Sequence, residues 1–147
     1  SNKLKTPYID IDKDLVEILN CDIVDFLKQY PEKKFRILES RYFLEHIKNS
    51  PAIYSTGGGI VLDKENRNAL KKTGITIFLK ASIQTLYDRI KRDINNRPLF
   101  KNKTMLEHLL NQRNSYYVDC ADLVIDTDNQ TPQKIVSQII NHLNHDN

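Results

Sequence analysis

The chain has 147 residues, 39% hydrophobic and 28% charged, the mixture of one soluble globular domain rather than of a fibrous, disordered or membrane-spanning chain. The formal net charge of +3 is small and dispersed, with no Lys/Arg run longer than two residues, which excludes an extended nucleic-acid surface and suits a small anionic ligand. Cys21 and Cys120 stand far apart, outside any CxxC or Cys/His pattern, and no apolar run could span a bilayer, so the expectation is a cytoplasmic protein with reduced thiols, no zinc site and no membrane partner.

In chain order, Tyr8-Ile-Asp-Ile-Asp12 alternates apolar and acidic residues, which predicts a short strand with Asp10 and Asp12 together on one side. From Asp14 to Asn49 apolar residues recur at helical spacing, and Pro31 breaks the run, so two or three helices are expected. Pro51 to Thr56 predicts a strand that runs straight into Gly57-Gly58-Gly59, where the missing Cβ atoms let backbone amides approach a ligand. Leu62 to Lys72 follows as a helix stopped by Gly74, and Ile75 to Leu79 as a buried strand. Ser82 should cap a helix with Ile83, Leu86 and Ile90 on its apolar face and Arg89 on its polar one. Asp93 to Lys103 lacks periodicity and contains Asn-Asn-Arg-Pro, which predicts a mobile loop. Thr104 to Glu107 matches a capping box opening a helix to about Tyr117. Leu123 to Asp126 is a last strand, and Thr131-Pro132 starts a last helix. Strands alternating with helices predict a parallel sheet covered on both faces.

Several features carry possible chemistry, and each alone has an ordinary structural explanation. Asp10 and Asp12 at a strand end could serve a metal and a substrate hydroxyl, although an isolated Asp-x-Asp is more often a capped turn. Arg36, Arg97 and Arg113 supply guanidinium groups for carboxylate or phosphate oxygens. The triple glycine takes three of the four glycines in the chain and lies where α/β proteins bind ligands. Arg97-Pro98-Leu99 sits in the loop expected to move, where a cation can close over a transferring phosphoryl group. Arg89 and Pro132 could flank a flat base, but ordinary surface roles come first for that pair. The four histidines have no ligand-spaced companions, so none is expected to bind metal.

Taken together, Asp10-Ile-Asp12, Glu32-Lys-Lys-Phe-Arg36, Thr56-Gly-Gly-Gly59, Arg97-Pro-Leu99, Arg113 with Tyr117, and Ala121 to Thr127 resemble the shikimate kinase family, from about Pro7 to the last helix. The resemblance implies an α/β fold with a three-layer parallel sheet, the P-loop kinase fold of nucleoside-monophosphate-kinase type. It implies transfer of the γ-phosphoryl group of ATP to the 3-hydroxyl of shikimate, with Mg2+, in aromatic amino-acid biosynthesis. Carried over, Asp12, Arg36, Gly57, Gly58, Gly59 and Arg113 would bind shikimate, the two arginines gripping its carboxylate and Asp12 orienting or deprotonating the attacking hydroxyl. Asp10 would act on magnesium, Arg97 on the ATP phosphates as the lid arginine, and Arg89 and Pro132 near adenine.

The family also has an N-terminal strand and a Gly-x-x-x-x-Gly-Lys-Ser/Thr loop, which nothing in this chain matches, and Pro31 replaces a usual glycine. The expectation is therefore a single shikimate-kinase-like domain over residues 1–147, N-terminally incomplete, whose complete form is a monomer. The alternative is a catalytically inactive binding module of the same fold.

Overall fold

The computed structural model describes residues 2–48, 51–92 and 102–145. The first strand, β1, spans Tyr8–Asp10 and gives way at once to helix α1, Ile11–Leu19. Asp10 is the reason: its backbone stays extended while its side chain accepts a 3.3 Å hydrogen bond from the Lys13 amide, and Asp12 and Asp14 place negative charge on the electropositive first turn. The expected strand through Asp12 is thus corrected, with Asp10 on the strand end and Asp12 on the helix. Asn20, left-handed at φ 49°, ends α1.

Helix α2 covers Ile23–Gln29 and α3 covers Glu32–His46, with Pro31 at the junction. On α3 the buried positions are Phe35, Glu39 and Phe43, one stripe at four-residue spacing. Strand β2, Ile53–Ser55, pairs parallel to β1 with Tyr8 opposite Ile53 and Asp10 opposite Ser55. The ends of both strands therefore deliver Asp10 and the glycines to the same edge. After the glycines, a short 3₁₀ turn, Ile60–Leu62, buries Ile60 and Val61 before α4, Lys64–Lys72. Asp63 separates the two by accepting from the Glu65 and Asn66 amides, so the helix begins two residues later than Leu62. Gly74 follows α4 at φ 77°, a backbone that a side chain would strain.

Strand β3, Ile77–Lys80, is displaced from the expected Ile75–Leu79, and its Leu79 is 52% exposed, so it is not the buried strand predicted. Helix α5, Ile83–Arg92, is capped by Ser82, whose hydroxyl accepts from the Thr85 amide. Helix α6, Lys103–Cys120, is capped by Asn102, whose side-chain carbonyl accepts from the Met105 amide, so the helix starts before Thr104 and the expected Thr104 box is corrected. Strand β4, Leu123–Asp126, pairs parallel to β3, and α7, Pro132–His145, starts where Thr131 accepts from the Lys134 amide.

Among the described residues the strands form two parallel pairs, β1 with β2 and β3 with β4. The main core joins Ile11, Leu15, Phe26, Phe35, Phe43, Ile60, Val61, Leu70 and Cys120 from α1 to α4, the 3₁₀ turn and α6. Ala81, Ile90, Leu106 and Ile125 are buried outside that cluster, around the second pair. Helix α6 packs against α4, α5 and the 3₁₀ turn and so serves both parts. Among the described residues no helix is long and apolar enough to cross a membrane.

Candidate active site

The three glycines form a surface against which side chains from separate helices rest. A Cβ on Gly57 would lie 3.1 Å from Glu39 Oε1 and 3.3 Å from Asp12 Oδ1. One on Gly58 would lie 3.0 Å from the Tyr117 hydroxyl, which donates a 2.7 Å hydrogen bond to the Gly58 carbonyl. One on Gly59 would fall 2.1 Å from Arg36 Nη1 and 2.3 Å from its Cζ, so the guanidinium occupies the space of a side chain. Asp12 from α1, Arg36 and Glu39 from α3, and Tyr117 from α6 are thereby brought together.

Arg36 is fixed before any ligand arrives. Its Nη1 donates to Glu39 Oε2 at 2.8 Å, and its Nη2 and Nε donate to Glu32 Oε1 at 2.8 and 3.1 Å. Burial works against its charge, but Glu39 and Glu32 outweigh that and hold its pKa above the usual arginine value. Glu39 is 1% exposed, and burial pushes its carboxyl up against the opposing pull of Arg36, with Asp12 adding to the push. Arg113 precedes Tyr117 by one helical turn, on the same face of α6, and is half-buried. Three side-chain atoms, Glu39 Oε1, Arg113 Nε and Asn66 Oδ1 of α4, are buried without a hydrogen-bond partner among the described residues. Acceptors and donors left so are costly unless a ligand completes them.

Asp10 is occupied on both oxygens, accepting from Tyr8 Oη at 3.1 Å and from the Lys13 amide. No group of three or more His, Cys, Asp or Glu able to hold a metal ion occurs among the described residues. A protein cage for magnesium is thus lacking there, but an ion carried by nucleotide phosphates needs only one or two carboxylates and keeps its waters, and Asp10 retains lone pairs for such a water. Arg89 donates from both Nη atoms to Thr127 Oγ1 at 3.4 Å, and Thr127 donates to the Lys80 carbonyl at 3.0 Å. This anchors Arg89 at the carboxyl end of the second strand pair, beside the loop that leads to Pro132, which opens α7. Arg97 and residues 93–101 of the expected mobile loop lie outside the described residues, while Lys103, expected as its last residue, opens α6. A groove of about 240 Å³ between α1 and α3, lined by Leu15, Ile18, Leu38 and Tyr42 among others, contains none of the candidate residues.

The shikimate kinase family profile matches residues 1–144 of this sequence. The chain belongs to the shikimate kinase family. It is 39% identical to the shikimate kinase of Enterococcus faecalis over 146 residues, covering 97% of this chain and 86% of that protein. It is 37% identical to the shikimate kinase of Caldicellulosiruptor saccharolyticus over 143 residues, covering 95% of this chain and 82% of that protein. Its fold superposes on shikimate kinase from Acinetobacter baumannii in complex with shikimate with a TM-score of 0.86, at 28% identity, over 96% of this chain and 82% of that one. The fold is therefore the α/β P-loop kinase fold that the motifs implied.

Sequence reasoning assigned no role to Glu39 or to the Tyr117 hydroxyl. Glu39 follows Arg36 at the i, i+3 spacing of a helical ion pair, a signal that was available. What the sequence hides is that this carboxylate sits in the buried stripe of α3. The bond from Tyr117 to Gly58 spans 59 positions and leaves no local trace.

Proposed function

We propose that the glycine turn with Asp12, Arg36, Glu39 and Arg113 is the acceptor site of an ATP-dependent small-molecule kinase acting on shikimate. Membership of the shikimate kinase family makes the reaction transfer of the γ-phosphoryl group of ATP to the 3-hydroxyl. The observation that carries the site assignment is Glu39 Oε1, buried without a hydrogen-bond partner among the described residues and 3.1 Å from where a Cβ on Gly57 would lie, in a turn also packed against Asp12 and Arg36. Arg113, whose Nε is likewise unpartnered among the described residues, joins the reading through its place one helical turn before Tyr117. A ring acid bearing hydroxyls offers a donor to Glu39 and a carboxylate to Arg113.

In this reading Arg36 and Arg113 grip the carboxylate, and the amides of Gly57, Gly58 and Gly59 line the ring's approach. Asp12 accepts the proton of the 3-hydroxyl as its oxygen bonds to the γ-phosphorus and the bond from that phosphorus to the β–γ bridging oxygen breaks, releasing ADP. Arg97 neutralises charge on the phosphates, while Arg89 and Pro132 border the adenine. Magnesium, when bound with ATP, supplies charge neutralisation on the phosphates, and Asp10 would hold one of its waters. Phosphoryl transfer to shikimate is tested by following ADP release from the full-length protein with shikimate as acceptor, alongside Asp12→Asn. Shikimate-dependent turnover that falls by about 10²-fold or more in the variant supports the reading, and turnover that Asp12→Asn leaves intact removes Asp12 from the reaction.

A further inference from the structure

Two consecutive side chains on helix α4 bond the turn that follows the glycines and reach the two helices that carry Arg36 and Arg113. Asn66 is 1% exposed, and its Nδ2 donates both to the Ile60 carbonyl at 3.1 Å and to Ser40 Oγ at 2.8 Å. Arg67 takes the next two carbonyls, Nη1 donating to Val61 at 2.7 Å and to Leu62 at 3.0 Å. Its guanidinium lies 4.3 Å from the ring centre of Tyr116. The whole 3₁₀ turn that continues the glycines is thus hydrogen-bonded from α4. From the same two residues one link runs to α3, at the neighbour of Glu39, and one to α6, three residues beyond Arg113.

We infer that Asn66 and Arg67 are positioning residues for acid recognition: acting from α4, they hold the glycine turn against α3 and α6 and so set the separation of the Arg36 and Arg113 guanidinium groups. The inference rests on the reading that those two arginines grip the substrate carboxylate. A two-sided grip is sensitive to spacing, because displacing a guanidinium by a fraction of its hydrogen-bond length spoils both bonds of a bidentate contact. Beyond the burial of Ile60 and Val61 and two backbone bonds back to Gly57 and Gly59, this 3₁₀ turn is held by the side chains that satisfy its carbonyls.

The test compares shikimate with its methyl ester, which keeps the ring hydroxyls and loses the charged carboxylate, by calorimetry on the full-length protein. Arg67→Lys keeps the charge but shortens the reach to the two carbonyls that Nη1 bonds and removes the flat guanidinium from the Tyr116 ring, Ser40→Ala removes one acceptor, and Asn66→Ala removes both donors. Expected is a contraction of the preference for acid over ester by about tenfold or more in Asn66→Ala and Arg67→Lys, less in Ser40→Ala, with KM for ATP within about twofold of the parent. Lower thermal stability with an unchanged preference in Arg67→Lys and Ser40→Ala would overturn the inference, and these two milder changes decide it if Asn66→Ala does not fold. Arg113→Ala is the control. If it leaves the preference intact, the carboxylate grip itself is refuted, whereas its collapse in Arg113→Ala alone refutes only the positioning role.

Discussion

Gly59 and Arg36 meet so closely that a single methyl group separates a working arrangement from a blocked one. In Gly59→Ala the new Cβ would fall 2.1 Å from Nη1, so the guanidinium must swing away and give up its bond to the buried Glu39 carboxylate or its present aim. The expected outcome is a loss of about 10²-fold in kcat/KM for shikimate, with KM for ATP little changed, measured by steady-state kinetics. Arg113 has the opposite character, a donor awaiting its partner. Arg113→Ala should weaken shikimate binding by about 2 to 5 kcal/mol in calorimetry, and unchanged affinity would remove its assignment. At this scale the sequence was informative about residue types and silent about partners. Arg36 could be singled out in the sequence as a candidate anion ligand, but the two glutamates that orient it became visible only once α3 turned one of them inward.

Among the elements, boundaries were legible where the capping chemistry was unambiguous. Thr131-Pro132 marked the start of α7, and Leu123–Asp126 emerged as β4 without displacement. Competing caps caused the misreadings: Asp10 ended the first strand early, Asp63 moved the start of the expected Leu62–Lys72 helix to Lys64, and Asn102 overrode Thr104. Asp63 matters beyond the boundary, because its carboxylate fixes the Asn66 amide at 3.2 Å as well as the Glu65 amide at 2.7 Å. Asp63→Ala should cost about 1 kcal/mol of stability in urea unfolding, and Asp63→Asn should recover most of it. Equal loss in both variants would show that charge at the helix start, rather than the cap geometry, carries the effect.

For the molecule as a whole, the alternation of strands and helices foretold the fold class correctly, because that inference needs only element types and order. It could not foretell how the two strand pairs communicate. Tyr117 does this, donating to Gly58 beyond β2 while its ring stacks on Phe78 of β3 with centroids 5.0 Å apart. Global stability should also carry an alkaline limit. The Tyr42 phenol, on α3, donates to Asp14 of α1 at 2.5 Å, and burial first and that carboxylate second push it from 10.0 up to about 12. A raised pKa in the folded state means the contribution is fully present below the unfolded value and is lost as pH rises through the folded one. Urea midpoints should therefore fall between pH 10.0 and about 12 in the parent, and Tyr42→Phe should show a shallower fall over that interval.

The stack of Phe78 on Tyr117 has an optical consequence. The chain contains no tryptophan, so an indole placed at position 78 would be its sole strong emitter. Through the phenol beside it, that emitter would sense the backbone of Gly58, and if the proposed acceptor site is beside the glycines, adding shikimate would register as a change in brightness or colour without any label.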